Sequence, residues 1–253
     1  TRDDLVLVDR NCHKSILHAI IMTGAIPIYL SGSRNDYGII GPIARDAFSA
    51  ESLQQLIEQH PLVDDSSKRI KLAVLTNSTY DGLCYNTDMI KSQLHDSVDV
   101  LHFDEAWFGY AAFHPFYHGR HGMSEPAEAP RTKHALVFAT QSPHKVLAAL
   151  SQASIILAKN SAEQQLDHER FNEAYMMHTS TSPHYGMIAS IDVATGMMAG
   201  PAGRSLVQET LDEALSFRRA MQQTAEQMAE EEWWFDVWEP EASLAQPELH
   251  ATD

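Results

Sequence analysis

Cysteine is scarce in this chain of 253 residues: only Cys12 and Cys84 occur. They form no paired motif, which argues against a disulfide framework and against a structural zinc site and leaves reduced thiols as the expectation. His114, His118 and His121 lie near one another, but among aromatic, proline and glycine residues and without regular ligand spacing, so no metal is expected. Basic residues are also few. The 18 Lys and Arg face 34 Asp and Glu, a formal charge of -16. Such a surface repels nucleic-acid phosphates and anionic membranes, so neither is expected as a partner, and it suits a cationic small molecule without identifying one. No apolar run is long enough to span a bilayer, and no basic segment followed by an apolar one opens the chain, so a cytoplasmic location is expected. What the chain does have is a hydrophobic content of 44%, which suffices for one large core or two smaller ones.

The hydrophobic pattern alternates between two periods. Short apolar runs at Leu5 to Val8, Ile26 to Leu30, Ile70 to Leu75, Val98 to Phe103 and Ala135 to Ala139 read as buried strands. Between them, His13 to Met22, Phe48 to His60 and Asn86 to Leu94 carry helical spacing, with Gly24 and Pro61 as stops. Ser31 to Pro42 and the long segment Gly109 to Lys133 read as loops, the Gly/Pro/Glu-rich part from Gly119 to Pro130 as an exposed or site-forming one. Ser142-Pro143 leads into an expected helix near Val146 to Ser151, and Ser154 to Ala158 is a candidate hairpin partner for the preceding strand. Beyond Ser161 the pattern turns helical, at Ala162 to Met177, Met187 to Ala199 and Ser205 to Glu231, and Trp233 to Trp238 reads as the start of a further strand. The alternation predicts an α/β fold with a mainly parallel sheet and helices on both faces, followed by helical segments. The expected division is residues 1–200 as a large domain, incomplete at its N-terminal side, and 201–253 as a helical linker and the truncated start of a C-terminal domain.

Two of the strand signals end directly in reactive groups. Ala135 to Ala139 runs into Thr140-Gln141-Ser142-Pro143-His144-Lys145, and Val98 to Phe103 into Asp104-Glu105-Ala106-Trp107. An amine and a carboxylate at neighbouring strand ends are what pyridoxal phosphate requires: a lysine to form a Schiff base, and an acid to keep the pyridine nitrogen protonated. Ser142 and His144 can add donors for the cofactor phosphate, and a helix beginning at this turn would favour the same anion. Other readings stay open for several of these residues. Asp104 can be a helix N-cap, His13 a cap or a stacking group, and Trp107 plain packing, while Asn77 to Asp81 can line a pocket or form a turn.

Taken together, Asp9-Arg10-Asn11-Cys12-His13-Lys14-Ser15, Thr79-Tyr80-Asp81-Gly82, Asp104 to Trp107, Thr140 to Lys145 and His178-Thr179-Ser180-Thr181-Ser182-Pro183 resemble, in order, the large bacterial ornithine/lysine/arginine decarboxylases. The resemblance implies an aspartate-aminotransferase-like fold, a pyridoxal 5'-phosphate cofactor and a small basic amino acid as substrate. It implies that Lys145 is the Schiff-base lysine, Asp104 the partner of the ring nitrogen and His13 the stacking residue. Ser142 and His144 fall beside the phosphate and Trp107 in the pocket wall. Thr179, Ser180 and Thr181 match a stretch that approaches the neighbouring subunit's cofactor, which implies a homodimer or higher homo-oligomer. The wording from Ser33 to Ile43 resembles the biodegradative arginine branch, so arginine, converted to agmatine and carbon dioxide, is the expected substrate, with lysine and ornithine as alternatives. An aminotransferase or lyase, or an inactive interaction fragment, is a further alternative. His144 and Lys145 both qualify as proton donor to the product carbon. The family's N-terminal domain, its phosphate-binding turn and most of its C-terminal domain have no counterpart in the sequence, so a fragment is expected.

Overall fold

A computed structural model describes residues 1–124, 135–228 and 237–238. β1 (Leu5–Asp9) leads through a turn into α1 (Lys14–Thr23), and β2 (Ile26–Leu30) follows. Gly24 ends α1 at φ 70°, a left-handed position that glycine takes without a Cβ penalty. α2 (Ala50–Glu58) is capped by the Ser49 hydroxyl and preceded by a 3-10 turn at Arg45–Phe48. Then come β3 (Ile70–Thr76), α3 (Thr87–Leu94) with Asn86 as its cap, and β4 (Val98–Glu105). Two 3-10 turns, Ala111–Phe113 and Pro115–Tyr117, break the long segment that follows. β5 (Leu136–Gln141), α4 (Pro143–Val146) and β6 (Ile155–Lys159) complete the sheet, and α5 (His168–His178), α6 (Tyr185–Met198) and α7 (Pro201–Gln227) follow.

The six strands lie in the order β2-β1-β3-β4-β5-β6. The first five are parallel, and β6 returns antiparallel against β5, the hairpin partner expected from Ser154 to Ala158. β1 is buried along its whole length, because both faces of a parallel sheet are covered. Leu5, Leu7, Leu101 and Phe103 face one layer, where Leu53 and Ile57 of α2 and Ile90 and Leu94 of α3 pack. Val6, Val8 and Val74 face the other, against Ile16 and Ile20 of α1. On this second layer Phe171 of α5 stacks on Phe138 of β5 at 5.8 Å. This is the α/β architecture expected from the sequence, an open, mainly parallel sheet with helices on both faces.

Two element expectations need correction. The helix after Ser142 spans only Pro143–Val146; Leu147 is already extended, and residues to Ser151 form turns. Helical structure after Ser161 begins at His168, where the Asp167 carboxylate accepts from the Arg170 amide, because Ser161 is engaged in a turn with Gln164. The tail of the Gly119 to Pro130 loop and the tryptophan-rich strand expected at Trp233 to Trp238 fall largely outside the described residues.

Candidate active site at the ends of the central strands

In a parallel sheet the C-terminal strand ends share one edge, and the register brings Thr76, Asp104 and Thr140 side by side across β3, β4 and β5. Side chains alternate along a strand, so His102 and Asp104 face the α1 side, while Leu101, Phe103 and Glu105 face the core beneath α2 and α3. The Asp104 carboxylate is half-buried. Its Oδ1 accepts from the Ala106 amide at 3.3 Å and its carbonyl from the Asn77 amide at 2.8 Å. The residue caps a turn, not a helix. One step down the strand, His102 Nε2 lies 2.8 Å from the Thr140 hydroxyl. Burial holds the His102 imidazole below its ordinary pKa, and the charge of Asp104 partly offsets this. The turn carrying His13 lies within reach of the same charge: the Cys12 thiol is pushed up by burial first and then by Asp9 and Asp104.

Lys145 stands at the neighbouring strand end, exposed, with its amide bonded to the Ser142 carbonyl at 2.9 Å. Its Nζ sits 4.8 Å from the centre of the Trp107 ring, and Tyr80 meets that ring edge-on at 5.5 Å. Residues from the ends of β3, β4 and β5 thus meet through one aromatic pair. His144 Nδ1 lies 2.7 Å from the Ala153 carbonyl; since a carbonyl only accepts, Nδ1 carries a proton and Nε2 is the atom left for another role. Ser142 caps the four-residue α4 without a side-chain bond, and a helix that short offers no anion-binding terminus of its own. His13 is exposed and caps α1, its Nδ1 2.8 Å from the Ser15 hydroxyl. Thr179, Ser180 and Thr181 are exposed in the break between α5 and α6.

In the sequence Glu105 and Asp9 stand out only as members of longer motifs. Both are buried carboxylates. Asp9 accepts from the amides of Asn11 at 2.8 Å and Thr76 at 3.4 Å, and so ties β1 to β3 at the site edge. Glu105 takes three donors: the Asn77 side-chain amide at 3.3 Å, the Gly122 amide at 2.5 Å and the Gln141 side-chain amide at 3.1 Å. Burial raises the pKa of each acid, and the hydrogen bonds oppose the rise. The signal for Glu105 was present, since it continues the core-facing alternation of Leu101 and Phe103.

The family model for "Orn/Lys/Arg decarboxylase, major domain" matches residues 1–250. The chain belongs to the Orn/Lys/Arg decarboxylase family. It is 62% identical over 242 residues to "Lysine decarboxylase LdcA" of Pseudomonas aeruginosa, covering 95% of this chain and 32% of that protein. It is 47% identical over 244 residues to the biodegradative arginine decarboxylase of Escherichia coli, again with 95% and 32% coverage. Among solved structures, "Lysine decarboxylase A from Pseudomonas aeruginosa" matches with a TM-score of 0.85 at 61% identity, over 94% of this chain and 32% of that one. The chain therefore spans about a third of the length of these relatives.

The expected arginine branch is overturned by these identities, which favour lysine decarboxylases across 242 residues. The wording that suggested arginine, Ser33 to Ile43, is a largely solvent-facing loop after β2 whose residues form their own turn, with Asn35 accepting from the Tyr37 and Ile39 amides. Only its end is anchored, by Ile43 in the core, and a short loop carries little weight against the rest of the chain. Pyridoxal phosphate is the cofactor of this decarboxylase family, and the donor set accommodates it: an accessible amine, a half-buried carboxylate at the adjacent strand end and flanking hydroxyl and imidazole groups. No helix among the described residues is long and apolar enough to cross a membrane.

Proposed function

We propose that this chain forms the core of a decarboxylase acting on a small basic amino acid, with L-lysine as the substrate and carbon dioxide and the diamine cadaverine as products. The carrying observation is the delivery of an amine and a carboxylate from adjacent parallel strand ends, Asp104 opposite Thr140 and Lys145 just beyond it. The choice of lysine rests on the identity to lysine decarboxylases.

Pyridoxal phosphate, when bound, supplies an aldehyde for an amine to condense with and a ring that draws electrons from the bond to be broken. Lys145 would provide the amine that holds the cofactor. Asp104 holds the proton at the ring nitrogen; two unit charges about 4 Å apart at an effective dielectric of about 20 attract by roughly 4 kcal/mol. His13 would stack against the cofactor when it is bound, and Trp107, against Lys145, would wall the pocket. Ser142 and the free Nε2 side of His144 serve the phosphate, and His144 or Lys145 returns a proton to the product carbon. Thr179, Ser180 and Thr181 reach towards a second copy, so the working unit is a homodimer or larger. Exposed apolar groups on the elements flanking this stretch, Met177, Tyr185 and Ile188, support such association.

The test is carbon dioxide release from lysine, arginine and ornithine by the full-length protein. Lysine is expected to be turned over with the highest kcat/KM, and Lys145→Ala to abolish turnover of all three. Pyridoxamine phosphate and a keto acid in place of carbon dioxide would contradict the reading and favour transamination.

A further inference from the structure

We propose that Glu105 is a positioning residue: its buried side chain clamps the ends of β3, β4 and β5 at the site edge and thereby sets the spacing between Asp104 and Lys145. The inference rests on the functional reading above. Glu105 is 0% exposed, one residue beyond Asp104 and on the opposite face of the strand. Its in-register partner Gln141 forms the last pair of the β4–β5 ladder, immediately before the Ser142 turn that carries Lys145. Its second partner, Asn77, is the first residue after β3, and Asn77 grips β4 twice, through its side-chain amide to Glu105 and its backbone amide to the Asp104 carbonyl. The third, Gly122, belongs to the segment that folds back at this edge, where a Cβ in its place would meet Phe103 at 3.0 Å and Ala139 at 3.3 Å.

All three partners are N–H donors, and a carboxylate is the group that accepts from three donors with two oxygens. Asn77 Oδ1 is occupied by the Tyr85 amide at 3.0 Å, and its amide also donates to the Arg120 carbonyl at 2.8 Å, so the Asn77 orientation is fixed independently of Glu105. The backbone ladder alone pairs strands along their length. It leaves the last residues at each end free to splay, and the proposed reacting groups lie at these ends. A buried carboxylate bridging three strand ends removes that freedom without touching substrate or cofactor. Glu105→Gln places an amide nitrogen among donors and forfeits at least one bond; Glu105→Ala removes the acceptor of the Gly122 amide and of the Gln141 side-chain amide and leaves the Asn77 side-chain amide with its Arg120 bond alone.

The test compares the full-length protein with Glu105→Gln, Glu105→Ala and, as a milder lesion on the partner side, Gln141→Ala. Each is titrated with pyridoxal phosphate by absorbance, and the pH dependence of the bound-cofactor band is recorded beside thermal melting. Expected are a cofactor Kd raised about tenfold in Glu105→Gln, consistent with loss of a buried charged hydrogen bond, a displaced pH midpoint of the band in Glu105→Gln and Gln141→Ala, and partial recovery in the swapped double variant Glu105→Gln/Gln141→Glu, which restores a carboxylate–amide pair across the ladder. Variants that melt earlier but keep the parent's Kd and band midpoint would overturn the inference and leave Glu105 a stability residue only. A parent protein that forms no band with pyridoxal phosphate would overturn the functional reading, and this inference with it.

Discussion

At Asp104 the whole proposed chemistry depends on a single charge. Replacing it with asparagine keeps the size and the contact with the Ala106 amide but removes the charge that holds the ring proton. The attraction of roughly 4 kcal/mol corresponds to a loss in kcat of about a hundred- to a thousandfold, measurable by steady-state carbon dioxide release; retention of more than a tenth of the activity would argue that another group protonates the ring. His121 gives a prediction on stability. Burial, with Lys91 next, lowers its pKa from 6.5 to about 4, with Asp88 opposing and His118 and Lys159 adding to the fall. The folded state therefore refuses a proton that the unfolded state accepts. The contribution of neutral His121 is complete above pH 6.5 and lost as pH falls towards 4. His121→Gln should flatten the decline in folding stability over that window in denaturant melts, relative to the parent; an unchanged slope would contradict it. Single-residue legibility was uneven. The placement of Asp104 at a strand end, and of Lys145 a turn beyond one, could be read because each follows an apolar run, whereas the three-donor clamp of Glu105 could not, since its partners come from Asn77, Gly122 and Gln141, far apart in sequence.

Elements were legible where local chemistry and packing agree. β1 is an apolar run buried on both faces, as is the centre of β3, β4 is buried on one face and half-buried on the other, and α1, α2 and α3 begin at His13, Ser49 and Asn86, each a side-chain cap. The segment after α4 failed because tertiary contacts override a helix-favouring composition: the Ala153 carbonyl is taken by His144, and the Leu150 amide by Ser190 Oγ of α6. The turn from α6 to α7 depends on close approach. A Cβ at Gly203 would sit 2.4 Å from the backbone of Met198, and backbone cannot move aside as a flexible side chain does. Met198 and Val207 pack there with Phe108 and Tyr117, joining the helical segments to the segment that follows β4. Gly203→Ala should therefore destabilise the protein by about 1–3 kcal/mol, the usual range for overpacking, read as a lowered melting temperature; unchanged melting would show that the two helices tolerate separation.

For the molecule as a whole, alternating periods in the sequence specified an open parallel sheet but neither the strand order nor the cover over β4. Those follow from long-range packing of α1 over β1 and β3 and of α5 over β5. Substrate branch was the poorest signal, because one short loop from Ser33 to Ile43 was weighed against a chain that is 62% identical to a lysine decarboxylase and 47% identical to an arginine decarboxylase. Exposed Ile21, Met177, Tyr185 and Met197 leave apolar surface on the helices, which the proposed association would cover. Sedimentation of the full-length protein should give a dimer or larger at micromolar concentration, and a monomer throughout would contradict the shared site.

The central claim is a covalent bond between one amine and the cofactor aldehyde. Borohydride reduction of the full-length protein in the presence of pyridoxal phosphate, followed by peptide mass mapping, should leave a pyridoxyl group on Lys145 alone. Label on another lysine, or no label at all, would contradict the account.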